Sequence, residues 1–379
     1  MHRLIGLAFL SGTLVLRAQP SEPAAPPAPP PPIREREAAI RAGLAWLESV
    51  QKPDGSWSDS RFPALTALPL WAFAQSDYPN REAIIRKAVA FLASCAREDG
   101  GIYQVLPGRG GGLSTYNTAI CLSALHAVRD PTLTPLLLRA RRFLAAAQNL
   151  EQGPHYGGMG YDAASDRPYA DLNNTVWAVE AMRRTESLED LRPAGETRAD
   201  LNWEAVRAYL RKVQNTREAG PDHEGGFFYR VDESKAGTET NAQGKVIFRS
   251  YGSMTYAGLL SLIYAAVDRQ DPRVQSAFDW AVRHWTLDEN PGMGAEGLYY
   301  FYHILTKALA AYGRPDIPPS GNRSTPIPWK EALTDRLLAL QKPGPHPGQI
   351  YWVNETGRWQ ESDPVLVTSY TILALQMLR

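Results

Sequence analysis

The apolar positions of this chain recur in one frame. Set on Thr175, the frame reads Thr-Val-Trp-Ala-Val-Glu-Ala-Met, and it opens after Asp171-Leu172-Asn173-Asn174. The same register appears from Thr66, Thr118, Thr255, Tyr302 and Thr368. The seventh residue of each copy is small (Ala72, Ala124, Ala181, Ser261, Ala308, Ala374) and the eighth is bulky and apolar (Phe73, Leu125, Met182, Leu262, Leu309, Leu375). A fixed frame repeated along a chain predicts a repeat architecture. Before each copy lies a second apolar pattern with a more polar face. In the first of these, Ile40, Leu44, Leu47 and Val50 recur at three- and four-residue steps, the spacing of one helix face.

Between the two patterns of each unit comes a Gly-rich turn, usually with an aromatic. Examples are Asp54-Gly-Ser-Trp57, Asp99-Gly-Gly-Ile-Tyr103, Gly157-Gly-Met-Gly-Tyr161 and Glu224-Gly-Gly-Phe-Phe-Tyr229. Glycine lets the chain reverse at positive φ, and the aromatic pins the turn to its neighbour. The unit is thus helix, Gly turn, loop, more apolar helix. One such unit cannot bury its own apolar face, so neighbours must stack. The second helices are apolar on more sides and carry small residues in register, which predicts an inner ring with the first helices outside. The expected fold is all-α: an α/α toroid of about six helix hairpins over residues 36–379, with an open superhelix as the structural alternative.

The N-terminus changes the picture of where the protein works. A short basic start, an apolar run from Leu4 to Leu16 and a small residue, Ala18, read as a signal peptide over residues 1–18, hence export to the periplasm or medium. The run is short for a membrane span of about 20 residues, and the rest of the chain offers no integral membrane segment. Residues 19–35 are rich in Pro and Ala and read as a stiff linker. Lys plus Arg and Asp plus Glu both number 40, so no electrostatic footprint for nucleic acid exists. Cys95 and Cys121 read equally as two buried thiols or as one disulfide permitted by an oxidising compartment. The longest inserted loop, 223–249, is polar, and reads as a binding loop or as a mobile excursion.

With the repeats laid out, the chain resembles the squalene–hopene cyclase and protein prenyltransferase superfamily. Gln51-Lys-Pro-Asp-Gly-Ser-Trp57 matches that superfamily's repeated Gln-x-x-Asp-Gly-x-Trp motif, and the resemblance covers about residues 36–379. It implies the toroid and a central cavity for an isoprenoid. The cyclases of the family open an inner helix with Asp-x-Asp-Asp-Thr, whose middle Asp protonates an alkene or epoxide. The matching stretch here is Asp171-Leu172-Asn173-Asn174-Thr175, in which both later acids are Asn. An amide has no acidic proton of useful strength, so protonation by the usual residue is lost. The zinc of the prenyltransferases, held by Asp, Cys and His, finds no matching trio, and neither metal nor cofactor is expected.

The candidate catalytic residues are Asp171 and Glu296, both at inner-helix mouths. Asp171 and Asp363 also read as helix N-caps. The expected ligand site is a ring of side chains at one end of the toroid: Tyr116, Asn117, Asn173, Asn174, Tyr251, Ser253, Tyr299, Tyr300, Tyr302 and His303. Whether the protein is an enzyme stays open at this point. The leading expectation is an apolar or isoprenoid-like ligand in a central cavity, bound by a divergent cyclase or a non-catalytic binder. The alternatives are a carbohydrate-active lyase or hydrolase acting on a glycan, and a scaffold for a protein partner. The composition of the cavity wall discriminates: aliphatic and aromatic for isoprenoid, Arg, Asn and carboxylates for sugar, a filled interior for a scaffold.

Overall fold

In the computed structural model the described residues are 34–106, 111–163 and 169–379. The signal-peptide reading and all but the last two residues of the linker therefore lie outside them. Twelve α-helices alternate along the described chain. The outer set is α1 (Arg36–Ser49), α3 (Arg81–Ser94), α5 (Thr134–Ala146), α7 (Trp203–Lys212), α9 (Pro272–Arg283) and α11 (Trp329–Ala339). The inner set is α2 (Ala64–Ala74), α4 (Ser114–Val128), α6 (Leu172–Arg184), α8 (Gly252–Tyr264), α10 (Leu298–Tyr312) and α12 (Pro364–Met377). Each inner helix packs on the next, and α12 packs back on α2, so the ring closes. The open superhelix is excluded. Closure is pinned by hydrogen bonds across the seam, from Gln376 Nε2 to Ala72 O at 2.9 Å and from Arg36 Nη1 to Leu378 O at 2.6 Å.

Position in the ring explains the two hydrophobic patterns. An inner helix has neighbours on both flanks and an outer helix behind it, so α12 buries every residue from Val365 to Gln376. An outer helix buries one stripe only, as α3 does with Ile84, Ala88 and Leu92 at four-residue steps.

The repeated Thr has a specific job. Its hydroxyl accepts a backbone N–H from the preceding Gly turn: Trp57 N to Thr66 Oγ1 at 3.1 Å, Ile102 N to Thr118 at 2.8 Å, Met159 N to Thr175 at 3.0 Å, Phe227 N to Thr255 at 3.0 Å and Trp352 N to Thr368 at 2.9 Å. All five donors are buried, and a buried donor left alone would lose about 1–3 kcal/mol. The fifth repeat has Tyr302 in the Thr position, and its longer side chain reaches instead to Leu287 O. A Gln at the end of the outer helix clasps the same turn. Gln51, Gln148 and Gln214 each donate Nε2 to the turn glycine's carbonyl and to a carbonyl of the next outer helix or the residue before it. At Gly157, with φ +90°, an added Cβ would lie 1.7 Å from Ala205 O, so the turn sits against the next outer helix at a distance only glycine allows. Trp57 is fully buried and donates Nε1 to Leu47 O at 2.7 Å, which settles the turn aromatic as structural there.

The long insertion is ordered. Strands β1 (Thr238–Thr240) and β2 (Val246–Phe248) pair antiparallel, with Glu239 opposite Ile247. Glu239 Oε1 lies 3.0 Å from His223 Nε2, which ties the hairpin to the turn after α7. Cys95 and Cys121 are free, buried thiols. No described helix is long and apolar enough to cross a membrane.

Candidate functional site

All six inner helices begin at one end of the ring, and their first turns enclose a cavity of about 220 Å³. Its apolar wall is Phe62, Ala64, Leu65, Leu113, Met254 and Leu366; its aromatic and polar wall includes Tyr116, Tyr161, Asn173, Tyr229, Tyr251, Tyr300 and Tyr370, with Lys235, Ser253 and Glu361. Among these lining residues Glu361 carries the only carboxyl group.

Of the ring expected from sequence, Tyr116, Asn173, Tyr251, Ser253 and Tyr300 line this cavity, and the other five do not. Helix geometry separates them, because successive residues point about 100° apart. Asn117 faces back between helices, where its Oδ1 accepts Ala64 N at 2.9 Å and its Nδ2 donates to Gly112 O at 2.9 Å; it ties α4 to the start of α2. Asn174 turns to Asp171, donating its backbone N–H to Oδ1 at 2.8 Å and Nδ2 to Oδ2 at 2.7 Å. Tyr302 points outward, towards Leu287 O and Arg336 of α11, and Tyr299 packs edge-on against it. His303 lies deeper, between Trp177, stacked on it at 5.7 Å, and Tyr370, tilted against it at 4.9 Å. Burial and the nearby Lys307 ammonium hold its imidazole well below its ordinary pKa.

Asp171 is wholly buried as the N-cap of α6 and does not line the cavity. Its Oδ2 also accepts from Tyr229 Oη at 3.1 Å, and Tyr229 Oη lies 2.8 Å from Tyr169 Oη. Burial raises the carboxyl above the usual range, while the bonds from Asn174 and the two tyrosines oppose that rise. Tyr229, which lines the cavity, connects it to Asp171 through its hydroxyl. Glu296 pairs with Arg358 at the surface and is also absent from the cavity wall. That pair supports the rim, since Arg358 stacks over Trp359 at 4.4 Å and Trp359 lines the cavity.

Sequence reasoning missed Tyr161, Tyr229, Tyr370, Trp359 and Glu361. Tyr161 and Tyr229 end their Gly turns and were read as pins; the turns carry them over the rim. Trp359 and Gln360 have positive φ (55° and 65°), strained for non-Gly residues, and no local pattern announces that. Glu361 is buried against the N-terminus of α10, accepting Tyr300 N at 2.7 Å, Tyr299 N at 3.3 Å and Asn354 Nδ2 at 2.6 Å. Burial pushes its carboxyl up, and those donors pull it back. Lys235, from the long insertion, reaches the cavity and lies over the Tyr229 ring at 4.5 Å.

Two turns below the cavity wall the axis is plugged by charge. Lys307 Nζ meets Glu180 Oε2 at 2.8 Å, with side chains 4% and 1% exposed, and lies over the rings of Trp177 (4.3 Å) and Trp71 (4.9 Å). Burial lowers the Lys307 pKa to about 8, against the pull of Glu180. Among the described residues no group of three His, Cys, Asp or Glu is placed to hold a metal ion.

Residues 59–217 match the family model of the squalene-hopene cyclase C-terminal domain. No curated protein matches the sequence significantly. Among solved structures, the type II terpene cyclase MstE from Scytonema superposes with a TM-score of 0.53 at 14% identity, covering 90% of this chain and 97% of that one. A variant of the same cyclase in complex with geranylgeranyl dihydroxybenzoate gives 0.53 at 14% identity, covering 90% and 96%. A D-mannose isomerase gives 0.53 at 12% identity, also covering 90% and 96%. The chain is thus similar to the squalene-hopene cyclase C-terminal domain in its family-model match, and its fold, an all-α toroid, is similar to that of the terpene cyclase. At these identities the structural likeness speaks for the fold alone, which serves both terpenoid and sugar chemistry.

Proposed function

We propose that the cavity takes an apolar, isoprenoid-like molecule and holds it without protonating it through the inner-helix acid used by cyclases. The observation that carries this reading is the wall: one side aliphatic, the other aromatic, with a single carboxyl among the lining residues. Apolar pockets with a few convergent polar groups are the usual form of small-molecule sites. Glycoside hydrolysis needs two carboxyl groups facing each other across the bond, and the wall offers one, so the carbohydrate reading is the weaker.

Asn173 supports the non-protonating part. It stands where the family's acid would stand, and its side chain lines the cavity. Glu361, the one lining carboxyl, is held by three N–H donors at the first turn of α10, and burial keeps its carboxyl above the usual range in spite of them. The volume, about 220 Å³, falls below the roughly 300–1,000 Å³ of drug-sized sites. That favours a short isoprenoid over a triterpene.

The test is a thermal-shift series on the full chain with geraniol, farnesol, geranylgeraniol and squalene in mild detergent, beside a series of oligosaccharides and oligouronides. A ligand of the folded state at a hundred times its Kd adds about 2.7 kcal/mol of stability. The expected result is a shift with the shorter isoprenoids and none with sugars, with each isoprenoid recovered unchanged by gas chromatography. A shift confined to the sugars would overturn the proposal.

A further inference from the structure

A second cleft, of about 690 Å³, opens at the opposite ends of the inner helices, where α2, α4 and α6 finish. Its wall includes Arg81, His126, Arg129 and Arg184, and no Asp or Glu lines it. These arginines are short of counter-ions. Among the described residues the Arg129 guanidinium has neither a hydrogen bond nor an ion pair, and the Arg81 guanidinium bonds only the carbonyl of Ser76. Arg184 finds Glu180 Oε1 at 3.8 Å, but Lys307 already holds that carboxylate at 2.8 Å.

The bland account is that these cations offset the helix C-termini. Each end carries roughly half a negative charge, so three ends cancel about half of three guanidinium charges. The remainder is felt inside the cleft: the imidazole of His126 is pushed below its ordinary pKa by burial first, then by Arg184 and Arg129.

We propose that this cleft binds a multiply charged oxyanion. Guanidinium forks match the oxygens of phosphate and carboxylate groups two at a time. The cleft is large enough for an anion bearing several such groups, and it is separated from the isoprenoid cavity by the Lys307–Glu180 plug. The two sources of this chemistry are phosphates and polycarboxylates.

Titration calorimetry of the full chain at low ionic strength, with pyrophosphate in one arm and citrate in the other, tests the site. The expected result is binding with a Kd below about 1 mM in at least one arm, weakening as salt is added. The arm that responds names the source. Arg81→Gln with Arg129→Asn should weaken binding by about tenfold or more, since the pair of substitutions removes two charge-assisted donors. Both side chains are exposed, and Asn suits the left-handed backbone at position 129, so the fold should survive. An unchanged melting point in the variant verifies this, and Arg129→Lys, which keeps the charge but not the fork, should restore part of the affinity lost in Arg129→Asn. No heat in either arm, or binding that the double variant leaves intact, would overturn the proposal.

Discussion

The plug under the cavity makes a quantitative prediction. In Glu180→Gln the ammonium of Lys307 loses its carboxylate while staying between two tryptophans and near Arg184. Its folded pKa is about 8 against an ordinary 10.5. A depressed lysine pKa means that the folded state holds the proton less tightly than the unfolded state. The penalty is therefore complete below about pH 8 and fades as pH rises towards 10.5. At a little over 1 kcal/mol per unit, the charged lysine already costs about 3 kcal/mol at neutral pH. Without Glu180 that cost climbs, but only until the lysine gives up its proton. Holding a neutral lysine at pH 7 costs about 5 kcal/mol by the same conversion, so the added loss through Lys307 is capped at about 1–2 kcal/mol. At pH 9.5 the wild-type lysine is itself neutral, and the loss through Lys307 should vanish. Urea denaturation of both proteins at pH 7 and pH 9.5 reads this directly. A destabilisation equal at the two pH values would refute the assignment, because it would have to arise from a group that does not titrate between them.

Two further perturbations bear on the turns and on the cavity. Gly157→Ala places a methyl 1.7 Å from Ala205 O at φ +90°, so it should lose more than about 3 kcal/mol; Gly348→Ala, at φ +80° with nothing within 4 Å, should lose only the backbone cost of roughly 1–2 kcal/mol. Equal losses in a denaturation series would show that the close turn-to-helix approach is not what selects glycine. Asn173→Asp puts a carboxyl into the aromatic wall beside buried Asp171, and both partial burial and the like charge raise its pKa. The folded state then favours the acid form, so the variant should match wild type near pH 4 and lose about 1–3 kcal/mol by pH 8, for a rise of one to two units. A melting point lowered equally at both pH values would argue that Asn173 does not face the cavity.

The toroid was legible because its signals are local and repeated. The register Thr is chosen by a hydrogen bond formed anew in five turns, and the Gln and Gly of the turn are chosen by the approach of the next outer helix. The site was half legible. Sequence placed the first turns of the inner helices at one mouth but did not divide neighbours around each helix. Asn173 therefore stood beside Asn174, and Tyr300 beside Tyr299 and Tyr302, although only Asn173 and Tyr300 line the cavity. Separating them requires the rotation of each helix about its own axis, which packing sets. Glu361 and Trp359 were hidden for another reason. They lie in an irregular segment before α12 yet act on α10, through contacts about 60 residues away in sequence such as Glu361 with Tyr299 and Tyr300.

Closure of the ring changes how the molecule comes apart. In an open solenoid the terminal repeats have one neighbour each, can fray independently, and can be removed to leave a shorter but folded array. Here the helices at the seam have two neighbours like all the others, and Gln376 reaches Ala72 across 304 residues of chain. No repeat is an end. Loss of one pair would open a wall rather than shorten a stack, so unfolding should be concerted around the circle. Folding, in turn, is completed only when the most distant parts of the sequence meet, which makes the last step slow.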